Sequence, residues 1–187
     1  MEVLSAFARP ALDWHALAPE LTLLAFGTLI TVVDVVWDER SKRTMPTLAG
    51  LGLLATLLPI LTLAVDGTDR TMFGGAYVVD DFSLVLKALF LISGYVVILM
   101  SVDYIREGDY YENEYYTLML TSLLGMVMMS SSRDLISVFV ALELLSIPAY
   151  MLAAWLRGLE GQVASCPMIF LIWLSSFDNF QSCWIIF

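Results

Sequence analysis

Five runs of mostly apolar residues, at about 17–37, 46–65, 82–103, 116–132 and 135–156, leave this chain few ways to fold. Roughly 20 such residues in a helix cross a hydrocarbon core of about 30 Å, and lipid accepts only helices or closed barrels, because backbone polar groups must be paired internally. The runs predict an all-α polytopic membrane protein with about five transmembrane helices. Composition agrees, since 59% of the 187 residues are hydrophobic and only 15% are charged; a soluble domain of this size is far less apolar. The first run is read as a mature span and not as a signal sequence. Its flank "MEVLSAFARPALDWHALAPE" is acidic and aromatic, and no small-residue cleavage pattern follows it.

The formal net charge of −10 comes from acids scattered over loops such as "VDGTDR" and "REGDYYENEYY", which read as solvated connections. With no basic patch, Gly-rich phosphate loop or CxxC pair, nucleic-acid and nucleotide binding have no support. Cys166 and Cys183 have no His near them, and the single His15 lies near the other terminus. Neither a metal site nor a disulfide is inferred.

Counted over alternate loops, Arg40, Lys42, Arg43, Arg106 and Arg157 fall on one side and Arg9, Arg70 and Arg133 on the other. The cluster beside the first span favours an N-terminus on the outer side and Arg157 on the inner side. The connection Asp66 to Asp81 holds a Gly pair and alternating apolar residues, the pattern of a short hairpin on the outer face. The inner loop before the fourth span is rich in Tyr, as at a headgroup boundary. The fourth and fifth spans are joined by only a few residues around "SSSRD", so they are antiparallel neighbours. No internal repeat is visible.

Within "SVFVALELLSIPAYMLAAW", Glu143 is the ninth residue of a span starting at Leu135, near the midplane. A carboxylate there costs ~2.5–3.5 kcal/mol on insertion scales, so it faces protein, a cavity or a partner. Pro148 cannot donate to the helical ladder and frees a carbonyl in the preceding turn, while Ser146 shares a face with Glu143; together they make a polar notch. Burial favours the neutral acid and an approaching cation favours release of its proton. Such a group can hand protons on, the alternative being a plain hydrogen bond to a neighbouring helix. Lys87 lies about one and a half turns inside the third span, and position alone favours a stem that snorkels to the outer interface over a place on a proton path. Glu20 and Asp34, near the ends of the first span, read as structural carboxylates reaching headgroups or capping the helix. Asp103 and Arg106 read as an interfacial pair one turn apart, and "GMVMMSSS" as flexible packing of a helix face.

These residues carry a resemblance. "DDFSLVLKALFLISGYVVILMSVDYI" and "EYYTLMLTSLLGMVMMSSSRDLISVFVALELLSIPAYMLAAWLR" resemble the N-terminal part of the antiporter-like membrane subunit N of bacterial complex I, the proton-pumping NADH:quinone oxidoreductase. The likeness covers roughly residues 10–160 and is most specific in "RDLISVFVALELLSIPAYML". It implies a partial antiporter-like fold and no cofactor in this chain, with NADH and quinone handled by other subunits. It also implies other complex I membrane subunits and the lipid bilayer as partners, no nucleic acid, and a multi-pass location in the inner (cytoplasmic) membrane. The family's fifth-span glutamate aligns with Glu143, and a third-span lysine with Lys87. In the family that glutamate is thought to pair with lysines of later helices.

The last residues depart from the family. After "WLRGLEG" a polar Asn-Glu-Ala stretch and a Lys-bearing sixth span are expected, whereas this chain runs "QVASCPMIFLIWLSSFDNFQSCWIIF". The expected organisation is thus 1–161 as antiporter-like helices and 162–187 as a divergent tail, an irregular or sixth hydrophobic segment. Its apolar run from Pro167 to Phe177 is too short to span by itself, and its composition reads as a frameshift, a mis-joined gene end or an altered C-terminus. The leading expectation is a non-redox subunit coupling quinone reduction to proton translocation, with Glu143 as proton carrier and Lys87 as a lesser candidate. The alternatives are a structural or assembly membrane subunit and a subunit of a related multi-subunit cation/proton antiporter.

Overall fold

Local capping chemistry sets the helix ends in the computed structural model, which describes residues 13–36, 45–67, 69–107 and 112–155. Ahead of α1 (Ala18–Val36), Asp13 accepts the His15 N–H on its side chain at 3.1 Å, and Pro19 occupies the first turn, where its missing N–H costs nothing. α2 (Met45–Asp66) ends at Gly67, whose N–H still donates to the Leu63 carbonyl at 3.3 Å while its φ of +58° turns the chain out of the helix. Before α3 (Asp81–Glu107), the Asp80 N–H donates to Ser83 Oγ at 3.0 Å and the Asp80 carbonyl accepts from Leu84 at 3.0 Å, half of a capping box. α4 (Glu112–Ser131) and α5 (Leu135–Trp155) follow, separated by residues 132–134. The five apolar runs thus become five helices, with ends shifted by a few residues.

Between α2 and α3 the expected hairpin is present. β1 (Arg70–Met72) pairs antiparallel with β2 (Tyr77–Val79), with Met72 opposite Tyr77. Its turn, Phe73–Gly75, holds all three residues at positive φ, including Phe73 at +53°. The hairpin is fastened to the end of α4: Tyr77 bridges to Ser132, the Arg133 N–H donates to the Ala76 carbonyl at 2.8 Å, and Arg133 forms an ion pair with Asp80.

α4 is the hub of the bundle, packing against α1, α2, α3 and α5. Among the described residues, Met45–Asp66, Asp81–Val102 and Leu135–Leu152 are long and apolar enough to cross a membrane, with Ala18–Val33 a shorter apolar helix. α4 carries more hydroxyls than the others, and its central position explains why it can. Tyr116, Leu120, Leu123 and Val127 are buried against neighbouring helices, so protein shields much of its length. Thr121 and Ser130 return their hydroxyl protons to carbonyls of their own helix at 2.8 and 2.7 Å. The other helices present Leu24, Val32, Leu58, Leu61, Val85, Leu89 and Met100 outward, an apolar surface that suits lipid and not water. The molecule is an all-α polytopic membrane protein, with one small hairpin among the described residues.

α4 and α5 are antiparallel neighbours, as their short link requires. Their backbones approach closely at Gly125, where a Cβ would lie 2.5 Å from the Leu145 nitrogen. Pro148 is buried and α5 runs through it unbroken, although the Leu144 carbonyl loses its usual donor there. One residue on, Ser122 Oγ of α4 donates to the Leu145 carbonyl at 3.4 Å. The tail 162–187 with Cys166 and Cys183, the cluster Arg40, Lys42 and Arg43, Arg157, and the side chains of Asp34, Asp103 and Arg106 lie outside the described residues.

Candidate functional site

Three elements bring their polar groups to one point at the hairpin end of the bundle. Lys87, six residues and about 9 Å inside α3, has no solvent exposure, and Glu20 in the first turn of α1 is 7% exposed. Lys87 Nζ donates to Glu20 Oε1 at 2.7 Å and to the Tyr77 hydroxyl at 3.1 Å. The Tyr77 hydroxyl, delivered by β2, in turn donates to the same Glu20 oxygen. The ammonium also lies 5.3 Å from the centre of the Tyr77 ring, within cation–π range. Burial and the neighbouring Glu20 carboxylate push the Tyr77 hydroxyl well above the usual phenol range, so it stays protonated. Glu20 Oε2 is buried and makes no hydrogen bond, and the Ser131 hydroxyl, close to Tyr77, also falls short of hydrogen-bond geometry.

This arrangement corrects two expectations. Lys87 does not snorkel: its stem points into the bundle because a counter-charge waits there, and a buried ammonium with two acceptors is better served than one stretched along lipid. Glu20 does not reach headgroups, since α4 and the hairpin close over the first turn of α1 and Lys87 neutralises it. The pair is formed by residues 67 apart, and neither span taken alone carried a sign of it. Opposite charges near the same end of two spans were the available signal. Tyr77 had none, since only the hairpin's docking on α4 turns its ring inward.

Glu143 occupies a different face. It lies eight residues, about 12 Å, inside α5, half-buried, with Oε2 shielded from solvent. Ala141 and Pro148 are buried on the α4 side of the helix, while Ile136, Val140, Ile147 and Tyr150 are exposed. The spacing of that exposed set places Glu143 on the same stripe, directed away from α4. Lys87 and Glu143 therefore sit at similar depth on two helices that share α4 as a neighbour, and the structure does not bring them together as one site.

Around the hairpin end a second layer of charge is solvent-accessible. Arg70 binds Asp13 at 2.6 Å and Asp66 at 3.3 Å, and His15 lies 3.5 Å from Asp66. The Arg70 guanidinium holds the Asp13 carboxyl below its usual range. Among the described residues no cluster of His, Cys, Asp and Glu could hold a metal ion.

No family model matches the chain. The NADH-quinone oxidoreductase subunit N 2 of Koribacter versatilis is 33% identical over 172 residues, covering 89% of this chain and 35% of that protein. The NADH-quinone oxidoreductase subunit N of Anoxybacillus flavithermus is 35% identical over 144 residues, 76% of this chain and 29% of its own length. In structure, a chain of respiratory complex I from Thermus thermophilus, solved with bound aureothin, superimposes with a TM-score of 0.63 at 28% identity, over 82% of this chain and 32% of that one. The chain thus spans about a third of the length of these relatives. In sequence and in fold it is a relative of subunit N of the NADH-quinone oxidoreductases.

Proposed function

We propose that this chain serves as a membrane subunit of a proton-translocating NADH:quinone oxidoreductase, in which quinone reduction in other subunits drives protons past Glu143, with Lys87 a lesser candidate on a path of its own. The supporting observation is Glu143 itself: an acid about 12 Å inside an apolar helix, half-buried, on a stripe that points away from the bundle's own packing. An acid at that depth is costly to insert, and such residues face protein, a cavity or a partner and mark ion or proton pathways. Its proton affinity depends on the charge brought beside it, so moving a cation toward or away from it loads or unloads one proton. The chain contributes no cofactor; NADH and quinone bind to other subunits. Its partners are other membrane subunits of the complex and the bilayer of the inner membrane. The Lys and Arg count favours the hairpin side outward.

In the assembled complex, Glu143→Gln keeps the shape of the side chain and removes its titration. The expected result is intact assembly with fewer protons translocated per electron in reconstituted vesicles. An unchanged ratio would overturn the proposal. The exposed apolar stripe of α5 favours a second reading, a subunit that only packs against others. That reading predicts lower abundance of the complex with Glu143→Gln and a normal proton-to-electron ratio in whatever assembles.

A further inference from the structure

We infer that Glu20, Tyr77 and Lys87 form a second proton-exchange site on the hairpin side of the bundle, with the Tyr77 hydroxyl as relay between amine and carboxyl group. The inference rests on the proton-translocating reading above and adds Glu20 and Tyr77 to it. Lys87 Nζ reaches Glu20 Oε1 directly at 2.7 Å, and the Tyr77 oxygen accepts from the same ammonium at 3.1 Å while its own O–H points to that carboxylate oxygen, so the phenol offers a second route beside the direct one; of the three groups, only the phenol donates and accepts at once when the other two are charged. Stability does not account for the cluster, because apolar side chains of similar volume commonly hold such a position as well as, or better than, a buried ion pair. Glu20 Oε2, buried and without a hydrogen bond, leaves the carboxyl group room to carry a proton.

The transfer balances without outside reagents. One N–H bond of the Lys87 ammonium breaks as that proton bonds to the Tyr77 oxygen. The original Tyr77 O–H breaks as its proton bonds to the Glu20 carboxylate. Two opposite charges become a neutral amine and a neutral acid, and the phenol is unchanged. Glu20, two residues from the start of α1, then releases its proton toward the hairpin side, and the amine is reloaded from within the bundle. The same hairpin carries Tyr77 inward and, next to β2, Asp80, which pairs with the exposed Arg133.

The test uses the assembled complex in vesicles, reading protons translocated per electron together with infrared difference spectra of carboxyl groups during turnover. Tyr77→Phe and Glu20→Gln are expected to assemble, to lower the proton-to-electron ratio, and to lose a protonated-carboxyl band seen in the parent. If both variants keep the parental ratio while Glu143→Gln lowers it, the inference fails and the proposed function stands. If Glu143→Gln also keeps the ratio, the proposed function fails first. Should either variant fail to assemble, fluorotyrosine at position 77 preserves the ring and its hydrogen bonds while making the phenol more acidic. A relay then shows an altered translocation rate and pH profile, whereas an unaltered profile overturns the inference.

Discussion

Replacing Lys87 by Met should cost far more than replacing Lys87 and Glu20 together. The single change removes the ammonium 2.7 Å from Glu20 Oε1 and leaves a carboxylate whose side chain is only 8% exposed, with Tyr77 as its remaining donor. Removing one partner of a buried ion pair costs about 3–5 kcal/mol, and the complete burial of Lys87 gives no reason to discount this for solvent screening. At about 1.4 kcal/mol per decade, that is roughly two to three and a half decades in the ratio of folded to unfolded chain. In the double variant Lys87→Met with Glu20→Gln, no charge remains to desolvate and the Gln oxygen still accepts from Tyr77. Its cost should stay within about 1 kcal/mol, the usual span of a neutral hydrogen bond. The assay is a double-mutant cycle measured by reversible denaturation in mixed micelles, with helical circular dichroism as the signal. If the two single costs sum to that of the double variant within about 0.5 kcal/mol, the residues are uncoupled and the reasoning is wrong.

Three further outcomes follow from the geometry. Gly125→Ala places a methyl group 2.5 Å from the Leu145 backbone nitrogen; backbone cannot yield as a side chain can, so the change should cost about 1–3 kcal/mol. In the complex it should also lower the proton-to-electron ratio by shifting α5, which the same vesicle assay reads. Phe73→Gly removes a left-handed conformation forced on a side chain that is half exposed, which costs roughly 1–2 kcal/mol in a non-Gly residue. The hairpin should be at least as resistant to proteolysis as before, despite losing an aromatic ring. The Asp13 carboxyl is held below its ordinary value of 3.8 by Arg70, so the contact between the N-terminal segment and the hairpin is fully present above that value. It is lost only as pH falls through the depressed folded value. Pepsin cleavage within residues 66–81, normalised at each pH to cleavage of an unfolded substrate, should therefore accelerate only in that acid range, and Arg70→Gln should flatten the normalised profile.

The helices were legible because hydropathy and capping act locally. Twenty apolar residues bounded by Asp80 with Ser83, or ended by Gly67, make a helix whatever lies across from them. The depth of Glu143 followed from counting along one such run, and the hairpin from a Gly pair between alternating apolar residues. The direction of the Lys87 side chain was read the wrong way by the same method, and the structural reading of Glu20 at a helix end missed its partner. Position along a span gives distance from its end, and says nothing about which face meets a neighbour.

By itself, then, the sequence determined the five helices of the described residues to within a few residues at their ends, and that one acid lies deep in α5. Only the tertiary structure decided that Lys87 turns inward, that Glu20 receives it, and that a hairpin tyrosine completes the contact. The physical reason is one of range. Burial of apolar surface and satisfaction of backbone groups accumulate residue by residue along the chain, whereas an ion pair between residues 67 apart exists only where the rotation of two packed helices brings both charges to one shielded point.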